Sequence, residues 1–349
     1  MKKSIVYVGP LTFGGTCRQR MEAFRSLGYS VVGIDTLKMS MWRHFLFRVY
    51  RRLARPEDFA KINATILEEI IKVNPCMLWV DKGLVIHAKT LEKAKSLRPN
   101  LVRVSYSPDD MLNPDNQTNY YLKSVPLYDL HVTTKSYNVG ELKWLGAKEV
   151  LFVGNAYSPE AHRPIQLNES ERGFWGGQVG FVGSFEKERA ESILYLARKS
   201  IRIKVWGNWP RSWVQRLSDA GVDITGRSLV GDEYAKAISA FDINLNFLRK
   251  VNRDLQTTRS IEIPACGGFM LAERTLEHLD LFKEGEEADY FSSDEELAEK
   301  IVFYVEHPER RKRIALAGKQ LCLTRGYRNQ DRLQTVLSFI EKSYSHQHS

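Results

Sequence analysis

The sequence predicts an α/β protein built of two doubly wound domains, and three observations carry that prediction. Short apolar runs of strand length alternate with helix-length segments from the N-terminus onward. The alternation breaks across a stretch rich in Asn, Pro, Gly and Glu, Asn155 to Gly177, and restarts at Val179. At 349 residues the chain is too long for most single cores and suits two domains of ordinary size. The expected domains are 1–160 and 175–328, with a last helix at 329–345.

Composition bounds the function. Hydrophobic residues at 43% and charged residues at 27% are those of a soluble globular protein. No run of about 18 apolar residues occurs, so no membrane-spanning helix is expected. The apolar part of Met1 to Pro10 is too short for a secretion signal and reads as a first strand. Cys17, Cys76, Cys266 and Cys322 lack metal-ligand spacing and fit a reducing cytoplasm, the expected location. A formal charge of +9 permits nucleic acid, an anionic membrane or small phosphorylated ligands as partners. No nucleic-acid motif is visible, and nucleic acid is not expected.

Ile5 to Val8 reads as the first strand, and Gly14-Gly15 as a turn into a helix reaching Leu27. The loop is not Gly-x-Gly-x-x-Gly and no P-loop lysine follows, so a dinucleotide or ATP site is not supported. Either the glycines make a tight turn, or they let a ligand approach the backbone. Ser30 to Asp35 is the second strand. Between 42 and 55, Trp42, Phe45, Leu46, Val49, Tyr50 and Leu53 form one helical stripe beside Arg43, Arg48, Arg51, Arg52 and Arg55. That pattern fits a core-packed helix with solvated arginines or contact with an anionic membrane surface.

A helix from Pro56 to about Val73 precedes the strand Cys76 to Asp81, and another helix precedes the strand Leu101 to Tyr106. The loop after it carries Asp109 and Asp110 at the carboxyl end of a strand, where ligands of open α/β sheets collect. Paired carboxylates there can accept a hydroxyl's hydrogen bond or act as a base, and Asp after Ser-Pro is equally ordinary turn chemistry. Tyr128 to Thr134 is a strand with Lys135-Ser136 at a helix start, and Glu149 to Gly154 is the last strand of the first domain. His162, in the connecting stretch, reads as structural or exposed rather than catalytic.

In the second domain Val179 to Ser184 is a strand and turn, followed by a helix containing Arg189; Ile203 to Gly207 and Asp242 to Phe247 are further strands, the latter ending at Arg249-Lys250. From Asp254 a polar segment delivers Arg259 and Glu262 into a short apolar helix, Ile261 to Ala265, which Gly267-Gly268 stops by accepting the positive φ of a C-cap. A helix N-terminus beside an arginine suits a diphosphate, and a glutamate one turn further in suits ribose hydroxyls. Phe269 to Ala272 is a buried strand. Ser293 caps a helix to about Glu306, Pro308 opens another, and a last helix runs from about Asn329 to Tyr344 with Leu333, Val336, Leu337 and Ile340 on one face.

At Asp254 to Phe291, and through Glu295-Glu296-Leu297, His307 to Arg311 and Ala317-Gly318, the chain resembles the CgeB-like, spore-maturation type of glycosyltransferase, a branch of the group 1 glycosyltransferases. Asp254 and Glu262, with seven residues between them, resemble that group's Glu-x7-Glu signature with Asp in the first place. The resemblance implies the GT-B architecture, two Rossmann-like domains facing an interdomain cleft with the last helix crossing back to the first domain. It implies a nucleotide-diphosphate sugar as donor, held by Gly183, Ser184, Arg189, Arg249, Asp254, Arg259, Glu262, Gly267 and Gly268. Where the wider group has an Arg and a Lys on the diphosphate, this chain has Ser184 and Arg189; Arg is the stronger phosphate ligand. Gly14 and Gly15 fall near donor phosphates or acceptor in relatives, and Asp109, Asp110, Arg259 and Glu262 are the catalytic candidates. The expected reaction is sugar transfer, with retention, to an acceptor left open among glycan, lipid-linked molecule and protein. No cofactor or metal is required by the sequence, which has no Asp-x-Asp. The alternatives are an epimerase or hydrolase of sugar nucleotides on the same fold, or a non-catalytic nucleotide-sugar or carbohydrate binder.

Overall fold

A computed structural model describes residues 3–38, 58 and 61–345. The basic stripe at 42–55 and Pro56 lie outside the described residues. The chain divides into two units: Met1–Gly154 with Val251–Arg253 and Asn329–Ser349, and Asn155–Lys250 with Asp254–Arg328.

The first unit is a six-stranded sheet in the order β2-β1-β3-β4-β5-β6, formed by β1 (Ser4–Gly9), β2 (Ser30–Asp35), β3 (Met77–Asp81), β4 (Val102–Ser107), β5 (Leu130–Thr133) and β6 (Val150–Phe152). All neighbours are parallel, so each connection must cross over and carries a helix or helical turn. The period of two along β1 and β3 divides their side chains between two cores. Ile5, Tyr7, Met77 and Trp79 pack with Phe24 and with Leu333, Val336 and Ile340 of the last helix, Asn329–Ser345. Val6, Val8, Leu78 and Val80 pack on the other side with Ile66, Ile70 and Leu91. The helix Ile62–Val73 begins where it does because the Asp58 carboxylate accepts from the N–H groups of Ile62 (2.6 Å) and Asn63 (2.8 Å).

The second unit repeats the plan, with the order β12-β11-β10-β7-β8-β9. Its strands are β7 (Gly177–Val182), β8 (Ile203–Trp206), β9 (Asp223–Ile224), β10 (Phe241–Asn246), β11 (Met270–Glu273) and β12 (Asp289–Phe291). Val179, Phe181, Ile243, Leu245 and Leu271 face one core; Val182, Trp206, Met270, Ala272 and Tyr290 face the other.

Three local expectations are corrected. The helix expected at Lys135-Ser136 starts at Asn138, because the Lys135 N–H is taken by the Thr133 hydroxyl at 3.1 Å and the turn is not yet helical. The stretch 155–177 is not an open connector. Tyr157 N–H donates to the Tyr327 carbonyl (3.1 Å), Ile165 N–H to Ser239 Oγ (3.1 Å), and Asn168 with Glu171 forms a capping box opening the helix Glu169–Trp175. The helix after Asp254 begins at Arg259 rather than Ile261, placing both Arg259 and Glu262 in its first turn. Among the described residues no helix is long and apolar enough to cross a membrane.

Candidate functional site

Two cations without carboxylate partners, Arg189 buried and Arg259 half-buried, mark the second unit. β7 ends at Gly183-Ser184, and Arg189 follows in the first turn of the helix Lys187–Arg198, only 2% exposed. Its Nη1 donates to the Ser184 carbonyl (2.8 Å) and its Nη2 to the Leu248 carbonyl (3.2 Å). Arg259 opens the helix Arg259–Ala265. The two guanidinium carbons lie 5.4 and 5.5 Å from the centre of the same ring, Phe181, whose quadrupole attracts both. Nε of each is buried without a hydrogen-bond partner, and among the described residues neither arginine forms an ion pair. Burial, and next the charge of Arg259, push Arg189 down to about 9 against a partial offset from Glu186. The arrangement is an uncompensated positive site, which an anion would stabilise. A Cβ at Gly183 would lie 2.7 Å from Phe181 Cζ and 2.9 Å from Arg259 Nη1, so a side chain there would displace the ring or the guanidinium.

A cavity of about 210 Å3 opens at the carboxyl ends of β7 and β8, its wall including Gly183, Ser184, Gly207, Tyr234, Arg259 and Glu262. Glu262 is 6% exposed, and the Tyr234 hydroxyl donates to its Oε2 at 3.0 Å. Burial and then the charge of Glu262 raise the Tyr234 pKa well above the ordinary value, so the phenol stays a donor. His162 Nε2 stands 3.6 Å from Glu262 Oε1. The helix is fixed from beneath by Ser260, whose Oγ accepts from the N–H of Thr257 (3.0 Å) and Nδ2 of Asn246 (3.1 Å) and lies 2.7 Å from His278 Nε2. His278 Nδ1 donates to the Glu273 carbonyl, and burial lowers the ring's pKa to about 4, so Nε2 is free to accept the Ser260 proton.

The other expected residues scatter. Ser184 is at the cavity wall, its carbonyl engaged by Arg189. Arg249 Nε donates to Glu186 Oε1 at 2.7 Å and belongs to an ion pair. Asp254 is buried, with its N–H on the Arg249 carbonyl, and is not in the cavity wall. Gly267, at φ 75°, and Gly268 close the helix at the end opposite Arg259. With seven residues that helix carries too little dipole to hold a diphosphate alone, so the arginines are the stronger feature.

In the first unit Gly14 takes φ 73° and Gly15 precedes the helix Thr16–Ser26, its N–H on the Thr12 carbonyl. Asp109 pairs with Lys82 at 2.5 Å. Asp110 is 1% exposed and accepts from Arg253 (2.7 and 3.0 Å) and Asn138 Nδ2 (3.0 Å). Burial alone would raise its pKa; the bonds from Arg253, Asn138 and the Leu112 N–H outweigh that and hold the carboxyl below its usual range. Beneath them lies a cluster the sequence reading missed: Asp81 accepts from Tyr7 (2.5 Å) and twice from Arg20 (3.0 and 3.2 Å), and Arg20 stacks 3.8 Å from the Tyr106 ring centre. A separate, mostly apolar cavity of about 270 Å3 adjoins it, lined by Val8, Val80, Val85, Ile86 and Lys82 among others.

Two parallel six-stranded sheets with alternating helices make this a protein of the GT-B fold, and the fold is shared with solved structures at low identity. Sucrose-phosphate synthase from Thermosynechococcus elongatus is similar over 99% of this chain and 100% of that one, with a TM-score of 0.66 and 13% identity. Anabaena Alr3699/HepE, solved in complex with UDP and glucose, is similar over 97% and 100%, with a TM-score of 0.67 and 12% identity. A putative UDP-N-acetylglucosamine 2-epimerase from Listeria monocytogenes is similar over 99% and 98%, with a TM-score of 0.60 and 11% identity. A family model described as glycosyl transferase-like matches residues 189–338, a span that begins at Arg189 and takes in Arg259 and Glu262. Comparison with curated proteins returns no match.

Proposed function

We propose that the chain is a glycosyltransferase that moves a sugar from a nucleotide-diphosphate sugar to an acceptor, with a uridine diphosphate sugar as the first donor to test. The observation that carries the reading is the pair Arg189 and Arg259, both against the Phe181 ring and without carboxylate partners, with Arg259 beside Glu262 in the cavity wall. The diphosphate lies on the arginines, and Glu262 accepts hydrogen bonds from ribose hydroxyls. The matched family model and the UDP complex of Alr3699/HepE support the same assignment. In the reaction the bond from the sugar's anomeric carbon to the diphosphate oxygen breaks with the electron pair leaving on oxygen. The acceptor hydroxyl bonds that carbon and releases its proton. Charge grows on the departing diphosphate, and fixed guanidinium groups in a desolvated site stabilise it more there than in the ground state. Retention of configuration, placement in the CgeB-like branch and an acceptor held by the first unit, near Asp109 and Gly14-Gly15, are parts of the same proposal.

The Listeria neighbour favours one second reading, a sugar-nucleotide epimerase, since fold does not fix reaction. A thermal-shift screen of nucleoside diphosphates and their sugars, followed by product analysis, tests both. A cognate donor at about a hundred times its Kd stabilises the protein by about 3 kcal/mol, and free nucleoside diphosphate then accumulates faster when the acceptor is supplied. A changed sugar still attached to the nucleotide, with no second substrate, identifies the epimerase. No shift with any nucleoside diphosphate or its sugar removes the reading.

A further inference from the structure

We infer that His162 is a positioning residue for donor recognition: it orients the Glu262 carboxylate toward the ribose, and it does so from outside the cavity. The inference rests on the ribose role proposed for Glu262.

The geometry separates the two ring nitrogens. Ser158 N–H donates to His162 Nδ1 at 3.1 Å, while His162 N–H donates back to the Ser158 carbonyl at 2.7 Å, so this reciprocal pair closes a turn. Because Nδ1 accepts, the proton of the neutral ring is on Nε2, the nitrogen that faces Glu262 Oε1 at 3.6 Å. The ring stands edge-on to Tyr234, with centroids 5.6 Å apart at 74°, and is 6% exposed. Tyr234 and Glu262 reach the cavity wall; His162 does not.

Glu262 therefore has one donor directed at each oxygen, Tyr234 at Oε2 and His162 at Oε1. The 3.6 Å approach is longer than a hydrogen bond and acts by electrostatic attraction, which sets the rotation of the carboxylate without saturating it. Each carboxylate oxygen has two acceptor sites, so both keep one for a ribose hydroxyl. Closing the turn needs only Nδ1. The Nε2 proton is surplus to that task, and it faces the ionised group at the wall of the proposed ribose site.

Two substitutions divide the ring's functions. Asn reproduces the position of Nδ1 and lacks Nε2; Gln reproduces the position of Nε2 and lacks Nδ1. The measurement is the affinity for UDP and for its 2′-deoxy and 3′-deoxy analogues by titration calorimetry, with melting temperature recorded alongside. The ratio of two affinities measured on one preparation does not depend on the fraction folded. In His162→Asn the preference for UDP over the deoxy analogues should fall about tenfold at an unchanged melting temperature. In His162→Gln the preference should survive while the melting temperature drops. A preference in His162→Asn equal to that of the unsubstituted protein, or one that follows melting temperature through both variants, overturns the inference and leaves Glu262 in place. If the unsubstituted protein binds UDP and both deoxy analogues alike, the ribose role of Glu262 is wrong and the inference falls with it.

Discussion

Arg189 shows what a single buried charge costs and what it is kept for. Burial brings its pKa down to about 9 from the ordinary arginine value, which corresponds to roughly 5 kcal/mol working against the charged folded form. That deficit is fully present below pH 9 and shrinks only as pH rises toward the unfolded value. Arg189→Met removes the charge and also the donors to the Ser184 and Leu248 carbonyls, a loss of about 1 kcal/mol each. The variant is expected to be more stable by about 1–3 kcal/mol in denaturant unfolding without ligand, and to lose the stabilisation by nucleoside diphosphate. Arg189 was a candidate in the sequence through the resemblance, and Arg259 and Glu262 through their place at a helix start; the structure puts Arg189 and Arg259 on the same Phe181 ring. Tyr234 and His162 were not legible in the sequence, since contacts to Glu262 from 28 and 100 residues away leave no periodic trace. The pairing of Arg249 with Glu186 was likewise invisible, as charge in a sequence does not show which charges neutralise each other.

At the scale of elements, the short helix Arg259–Ala265 owes its position to what packs behind it. The helix Pro308–Thr324 approaches through Gly318, where a Cβ would meet the Glu287 carbonyl oxygen at 2.3 Å and Pro264 Cβ at 3.5 Å. Gly318→Ala must push that helix outward, so it should destabilise by about 1–3 kcal/mol and lower the melting temperature by several degrees, read by calorimetry. An unchanged melting temperature would mean the helix is free to shift. The long apolar strands were readable because buried parallel strands are nearly continuous hydrophobic runs. The two residues of β9 and the six-residue helices Asn119–Ser124 and Leu276–Leu281 were not, because they are shorter than the periods that would reveal them. The short helix expected over Ile261 to Ala265 is present and starts two residues earlier, at Arg259, because a polar first turn leaves no apolar trace in the sequence.

For the molecule as a whole, acid should be destabilising, because each unit buries a neutral histidine. Burial lowers His131 in the first unit and His278 in the second to about 4. Unfolding lets each ring take a proton near pH 6.5, while the folded state refuses it until about pH 4. Stability therefore falls as pH drops from about 6.5 to about 4, by roughly 3 kcal/mol per histidine, and these groups contribute no slope outside that window. His131 Nε2 lies 2.9 Å from the Val125 carbonyl, and His131→Gln can keep a donor there while removing the titration. Unfolding of that variant should depend less steeply on pH between 4 and 6.5; an identical slope would show that His131 does not titrate on unfolding.

The central claim is that Arg189 and Arg259 form the seat of a diphosphate, and calorimetric titration with UDP, UMP and uridine tests it most directly. The account predicts that affinity rises from uridine to UMP to UDP, that Arg259→Ala removes most of the advantage of UDP over UMP, and that the same variant leaves uridine binding nearly unchanged. Equal affinity for UDP and uridine, or a UDP preference that survives both Arg259→Ala and Arg189→Met, would contradict it.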